Sequence, residues 1–342
     1  MSKINVCLFG RHSNRTPLVY SEYQQLFNQY INYVDDVKRA DLVVLGFSVD
    51  LKGLIEEYGP LLKTRDGIRI LVLSEEPLWD LLSNNDPLTN KSTWTNGEEE
   101  YEFFVANFFN SNVFKFKKVP YFLTTESFYF ARYAYELTHF VNDFNEGNLR
   151  KHWAALNTKV CFLQQRRFNN VVFSNKFGNL ALSSYRTNLA ELLANSAANV
   201  YGLGWGNCAP RQTLPDWHLD KIVKFKNKFP LFSALENTLL SNYITEKIFD
   251  AFALRSVPLY FANSNHRVFE LVEEESVVNL FGSSENSAKD VISNWHPNQV
   301  NMEAYYTTVC KLQSLFSDPE NLHSERHRVV REVLGILHTV CS

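Results

Sequence analysis

Short, continuous apolar runs punctuate this chain, and amphipathic stretches separate them. Lys3–Phe9 runs into Gly10, Ala40–Gly46 reads ADLVVLG, and Ile68–Leu73 reads IRILVL. Runs without a polar alternate face predict strands covered on both sides, as in a parallel sheet. Between them, Ser21–Asn32 and Leu51–Lys63 carry helical spacing. Strand–helix alternation of this kind predicts an α/β layer architecture.

The middle of the chain is less regular. Asn84–Glu100 is polar and reads as a surface loop, one that could take part in binding. Phe103–Phe116 is rich in aromatics and breaks at Val119-Pro120-Tyr121. Ser127–Asn142 reads as helix or irregular, and the charged stretch Asp143–His152 as a linker. A second α/β series follows. Strands are expected at Val160–Leu163, Val171–Ser174, Asn199–Gly202, Leu231–Leu235, Val257–Phe261 and Val277–Leu280. Helices are expected at Tyr185–Ala194, Tyr243–Ala253, Ala304–Phe316 and Ser324–His338, and a loop over Gly204–Pro215. The division is therefore an N-terminal α/β domain over 1–150, a C-terminal α/β domain over 151–320 and a terminal helix over 321–342. No fixed-period repeat and no sustained heptad is present.

Composition narrows the function classes. At 342 residues the chain accommodates two domains, and 45% hydrophobic with 21% charged residues is ordinary for a soluble protein. A net charge of −3 gives no basic footprint for nucleic acid, so any anion site must be local. The five cysteines (Cys7, Cys161, Cys208, Cys310, Cys341) are scattered, odd in number and free of CxxC. That argues against a disulfide framework or a zinc site and for a reducing compartment. The start, MSKINVCLFG, is too short to span a bilayer and does not read as a signal peptide, which predicts a cytoplasmic protein. The terminal helix sets Arg326, Arg328 and Arg331 beside Val330, Val333, Leu334 and Leu337. It suits either peripheral contact with the inner face of a membrane or packing back on the protein with a solvated basic face.

The densest chemistry lies in Phe232–Phe261, FSALENTLLSNYITEKIFDAFALRSVPLYF. Two carboxylates, an amide, a tyrosine and a lysine fall between Glu236 and Lys247, flanked by apolar elements. Such density is hard to explain as packing and suits a polar, anionic ligand. Lys247 lies in the first turns of the expected helix, where an ammonium and the helix N-terminus would act together on a phosphate. The bland reading of Glu246-Lys247 is a solvated helix face.

Glu236-Asn237-Thr238, Tyr243-Ile244-Thr245-Glu246-Lys247 and Val257-Pro258 resemble, in order and spacing, the signature of the α-1,3/4-fucosyltransferases, glycosyltransferase family 10. The resemblance is clear over about Thr158 to Gly282. It implies a GT-B fold, two Rossmann-like domains facing across a cleft, in a bacterial form that lacks a membrane anchor. It implies inverting transfer of L-fucose from GDP-β-L-fucose to a hydroxyl of an oligosaccharide or lipid-linked glycan acceptor. By the same match Glu246 contacts the ribose hydroxyls, Lys247 the phosphate, and Asn237 and Tyr243 the donor. Arg186, after Ser174-Asn175, matches the arginine that clamps the diphosphate; a surface helix arginine is the alternative. Gly202, in the glycine-rich YGLGWGN, falls where the family has an aromatic–glycine pair often followed by cysteine, here echoed by Cys208. Of the basic run Lys221, Lys224, Lys226 and Lys228, most are expected in solvent and one near the nucleotide.

Inverting transfer needs a base for the acceptor hydroxyl. The strand Ile68–Leu73 ends in Ser74-Glu75-Glu76-Pro77, and strand C-termini face the ligand crevice in parallel sheets. Many family members have Glu-Ser-Pro here, which makes Glu75 the base; Glu76, held extended before proline, is the second choice. The adjacent carboxylates are expected to raise one pKa. Arg11 and His12, after the first strand, are weaker candidates at the same edge. No Asp-x-Asp triplet is present, so no metal is expected to be required. Stimulation by Mn2+ or Mg2+ stays open. Two rivals stay open as well: a family-related enzyme with another nucleotide-sugar donor, and a nucleotide-sugar or glycan-binding protein without turnover.

Overall fold

Leu42–Leu45 is buried at every position, as a strand must be when both neighbours are parallel and both faces are covered. It is the third strand of a sheet whose elements follow in chain order: β1 (Ile4–Phe9), α1 (Ser21–Phe27), β2 (Ile31–Val34), β3 (Leu42–Leu45), α2 (Leu51–Thr64), β4 (Arg69–Leu73), β5 (Lys91–Thr95) and β6 (Glu100–Ala106). The computed structural model describes residues 3–342 except 65–66, 78–79, 81–85, 98, 169–173, 176–177, 180, 195 and 207–209. The chain divides into two compact units, one of Met1–Ser127 with Glu320–Ser342, the other of Phe128–Pro319.

In the first unit the strand order is β2-β1-β3-β4-β6-β5, parallel throughout except β5. Cys7, Val43, Leu45, Ile70, Val72 and Phe103 from the sheet meet Leu51 and Leu54 of α2 in one apolar cluster. Two elements depart from the sequence reading. The helix expected over Ser21–Asn32 stops at Phe27, and β2 follows, pairing Ile31 with Ile4. Ile31-Asn32-Tyr33-Val34 combines β-branched and aromatic residues, and the strand preference wins over the helical spacing. Lys91–Thr95, expected as loop, is an antiparallel edge strand on β6. An edge strand needs little apolar content, so its polarity misled.

The second unit begins after the single turn α3 (Tyr121–Thr124) and contains nearly all of α4 (Ser127–Asp143). Then come α5 (Glu146–Ala155), β7 (Val160–Leu163), β8 (Ser174–Asn175), β9 (Gly178–Asn179), α6 (Ser183–Leu193), β10 (Ala198–Tyr201), α7 (Trp217–Phe225), β11 (Leu231–Ser233), α8 (Glu246–Ala253), β12 (Val257–Tyr260), β13 (Val278–Asn279), α9 (Glu285–Asn294) and α10 (Met302–Ser317). The stretch expected as linker, Asp143–His152, is mostly α5. Asn145 caps it by accepting from the Asn148 amide at 2.9 Å, and Leu149 and Trp153, four apart, bury one face. Of the strand expected at Val171–Ser174, residues 171–173 lie outside the described residues, as does Cys208.

The main sheet of this unit runs β10-β7-β11-β12-β13, all parallel. Numbered within its own unit, that order is 2-1-3-4-5, and the first unit starts with the same 2-1-3-4. Both are doubly wound sheets, in which the direction of winding reverses between the first and third strands. Ligands bind beyond the strand C-termini at that reversal. It lies between β1 and β3 in the first unit and between β7 and β11 in the second.

The last helix, α11 (Pro319–Cys341), returns to the first unit, where it buries Val329, Val330, Val333, Leu337 and Val340. Glu325 accepts from the Lys117 and Lys118 amides at 2.6 and 2.7 Å and pairs with Arg328 at 2.6 Å. Arg328 also donates to the Asn112 carbonyl at 2.8 Å. Removing one partner of a buried ion pair strands the other. Glu325→Ala is therefore expected to cost about 3 kcal/mol in urea unfolding. A loss under about 1 kcal/mol would show that this anchor is dispensable. Among the described residues no helix is long and apolar enough to cross a membrane.

Candidate functional site

The helix expected from Tyr243 begins three residues later, and the reason is a carboxylate. Glu236 Oε1 accepts from the Thr245 amide at 2.8 Å and from its hydroxyl at 2.7 Å, which fixes Thr245 as the residue before the first turn. Glu246 and Lys247 are thus the first two residues of α8, where exposed N–H groups and the helix dipole add positive potential. Lys247 Nζ donates to Glu236 Oε2 at 2.9 Å and to Thr245 Oγ1 at 2.7 Å, and lies 3.7 Å from Glu246. Burial by itself would lower this ammonium, but Glu236 and Glu246 outweigh it and the net shift is upward. Burial would likewise raise the Glu246 carboxyl, but Lys247 and Lys221 outweigh it and hold it at about 2. Both groups are ionised at neutral pH.

Arg186 sits on α6 with only 8% of its surface exposed. Its Nη1 donates to the Leu235 carbonyl at 3.2 Å, while its Nε is buried without a hydrogen-bond partner. Burial lowers its pKa, with Glu236 and the Tyr243 phenol opposing. The arginine carbonyl accepts from Gln164 Nε2 at 2.7 Å. Gln164 follows β7, and Leu235 and Glu236 follow β11, so Arg186 is held at the winding reversal of the second sheet. A buried, incompletely satisfied guanidinium at that point is set to receive an anion.

Asn237 belongs to the same loop. Its carbonyl accepts from the Leu182 amide at 2.9 Å, and its side-chain oxygen from the Thr238 hydroxyl at 3.2 Å. It ties the start of α6, and hence Arg186, to the end of β11. Tyr243 is buried one turn before the helix. Gly202 lies at φ +121°, and a Cβ there would come within 2.3 Å of the Gln164 carbonyl oxygen. What its missing side chain admits is the backbone at the end of β7.

In the first unit, Glu75 leaves the end of β4 and is 4% exposed. Tyr20 donates to Oε2 at 2.8 Å, and Tyr121 donates to Oε1. Burial raises its carboxyl to about 7, the two hydroxyls and Arg15 opposing. The raised value was expected from a neighbouring carboxylate, but Glu76 is not among its causes; desolvation is. Glu76 is only half-buried, its amide donating to Ser74 Oγ at 3.2 Å. His12, at the β1–β3 reversal, is held twice by Asp50: its amide donates to Oδ2 at 2.8 Å, and ring Nδ1 lies 3.1 Å from Oδ1. Arg11 is exposed.

Sequence reasoning missed several participants. The sequence marks Glu236 only as part of a pattern; in the fold it is the carboxylate that starts α8 and holds Lys247. Tyr20 and Tyr121 reach Glu75 from 55 and 46 residues away in sequence, and no local signal marks them. Lys221 was one of four equivalent lysines, yet it alone of them is buried. Among the described residues, no group of three His, Cys, Asp or Glu side chains is arranged to hold a metal.

Residues 168–308 match the family profile described as glycosyltransferase family 10 (fucosyltransferase), C-terminal. No curated protein matches the chain. Among solved structures, a crystal structure of an α1,3-fucosyltransferase with GDP-fucose is similar at 14% identity and a TM-score of 0.41, over 90% of this chain and 81% of that one. An α1,3-fucosyltransferase with GDP is similar at 14% identity and 0.39, over 96% and 90%.

Proposed function

We propose that this protein, whose residues 168–308 match the glycosyltransferase family 10 (fucosyltransferase) C-terminal profile, moves L-fucose from GDP-β-L-fucose, with inversion, to a hydroxyl of an acceptor glycan. The observation that carries the reading is the pair of cations at the winding reversal of the second sheet. Arg186 offers a buried guanidinium with a free Nε–H, and Lys247 an ammonium on the first turn of a helix. Together they suit a diphosphate, which bears its charge in the bound donor and gains more as the sugar leaves. Glu246, anionic and beside Lys247, suits the ribose hydroxyls, with Asn237 and Tyr243 completing the donor side.

In this reading Glu75 takes the acceptor proton as the new bond forms at the anomeric carbon. Fucose passes from the β-phosphate oxygen to the acceptor oxygen, GDP departs against Arg186 and Lys247, and the proton stays on Glu75. No step requires a metal, although Mn2+ or Mg2+ may be tested as additives by the same assay.

The deciding experiment is GDP release from GDP-fucose by the purified protein with lactose, N-acetyllactosamine or water as acceptor. Release that rises with a sugar acceptor supports the reading. Turnover of another nucleotide sugar and none of GDP-fucose replaces the donor. Arg186→Lys keeps the charge but loses the planar fork. It is expected to lower kcat/KM for GDP-fucose roughly 10–100-fold, the loss of one charge-assisted hydrogen bond or more. Wild-type kinetics in that variant would remove Arg186 from the diphosphate.

A further inference from the structure

The basic run after Trp217 separates into unlike residues in the fold. Lys224 pairs with Asp220 at 2.9 Å on the exposed side of α7, and Lys226 pairs with Glu136. Lys221 turns inward and is 7% exposed. Its Nζ donates to Asp250 Oδ2, lies 3.9 Å from Glu246 Oε1 and stands 4.8 Å from the centre of the Trp217 ring.

Asp250 is fully buried and sits on α8 four residues after Glu246, hence on the same face. Its Oδ1 accepts from the Tyr133 hydroxyl at 2.7 Å and from His218 Nε2 at 2.8 Å. The His218 tautomer follows from its other nitrogen. Arg132 Nη1 lies 3.1 Å from His218 Nδ1 and can only donate, so Nδ1 accepts and the proton is on Nε2. Arg132 is itself paired with Asp216, which caps α7. Three donors thus converge on one buried carboxylate.

A buried ionic array is weak evidence for stability, because desolvation offsets most of its attraction. Its use lies in what it holds in place. Here the charges alternate in one line: Asp250, Lys221, Glu246, Lys247, Glu236. Glu246 is the only one of the three carboxylates in that line with no hydrogen bond from a side chain among those described, and it is fixed by the two lysines at 3.7 and 3.9 Å.

We infer that Asp250, acting through Lys221, is a positioning residue that aims the Glu246 carboxylate at the ribose hydroxyls of the nucleotide. The inference rests on the donor reading above and adds to it the machinery that orients its ribose contact. Losing Lys221 frees Glu246 on one side, so the penalty falls on ligands that carry ribose hydroxyls and spares those that lack them.

The test is calorimetric titration of the full-length protein with GDP and with 2′,3′-dideoxy-GDP, in wild type, Lys221→Gln and Asp250→Asn. In the wild type GDP is expected to bind about tenfold or more tighter than the dideoxy nucleotide, the value of one hydrogen bond to a charged group. In the variants GDP binding is expected to weaken about tenfold, and dideoxy-GDP binding to hold within about twofold. A role confined to packing would weaken both equally, and that result, or unchanged GDP binding, overturns the inference. Failure of the wild type to bind either nucleotide overturns the donor reading instead. Asp250→Asn removes a fully buried charge and is the variant more prone to misfold; Lys221→Gln keeps the test decisive.

Discussion

Lys247→Ala is expected to lower kcat/KM for GDP-fucose by about 10²–10³, the usual loss when one preorganised stabiliser of developing negative charge is removed. The argument starts from the charge state. Glu236 and Glu246 shift the ammonium upward despite its burial, so it is fully protonated across the working range. Its hydrogen bonds to Glu236 and Thr245 hold it on the first turn of α8, beside N–H groups that the helix leaves unpaired. An ammonium already in position costs no reorganisation when the phosphate oxygen gains charge.

The same geometry predicts that the loss is chemical. Without Lys247, Glu236 still accepts from the Thr245 amide and hydroxyl, so the start of α8 keeps both of its anchoring bonds. The melting temperature should fall by only a few degrees while turnover collapses. Steady-state kinetics with GDP-fucose and a responsive acceptor, alongside thermal unfolding, separates the two effects. A folded variant that keeps more than a tenth of wild-type kcat/KM would remove Lys247 from leaving-group stabilisation.

What the sequence revealed depended on how much of an element is buried. β3, β7 and β12 are continuous apolar runs because they are central parallel strands, and they were legible as such. β2 and β5 lie at the sheet edges, each with one backbone edge unpaired; β5 alternates exposed and half-buried residues and so reads as loop, and β2 follows so closely on α1 that helical spacing runs into it. α5 was read as a linker because its two buried residues, Leu149 and Trp153, are diluted by charge. At the site, the stretch Glu236–Lys247 was legible because both ends of its hydrogen bonds lie within eleven residues. Glu75 was legible as a residue but not as an environment. Its phenolic partners arrive from α3 and the segment before α1, and only the fold brings them together. Lys221 shows the same limit: four lysines look alike until α7 turns one of them toward Asp250.

Glu75→Gln is expected to lower kcat by about 10²–10⁴, the range supplied by a positioned general base. GDP binding should be unchanged, since the proposed donor contacts, Arg186, Glu246 and Lys247, belong to the other unit. In the proposed mechanism the active form of Glu75 is the ionised carboxylate. Burial lifts its pKa to about 7, so kcat/KM should rise with pH and level off above about 7. Stability runs the opposite way. An acid whose folded pKa lies above its unfolded value of 4.5 contributes fully below that value, and the contribution is lost as pH rises to about 7. The difference between 4.5 and about 7 corresponds to about 3 kcal/mol. Glutamine keeps the shape and never ionises, so Glu75→Gln should match the wild type near pH 4 and exceed it at pH 8. A variant at once inactive and more stable above neutrality is the mark of a carboxylate kept in an apolar setting for its chemistry. Urea unfolding at pH 4.5 and pH 8, set beside the pH profile of turnover, tests both halves. Equal stability at both pH values together with full activity would move the base to another residue and return Glu75 to the core.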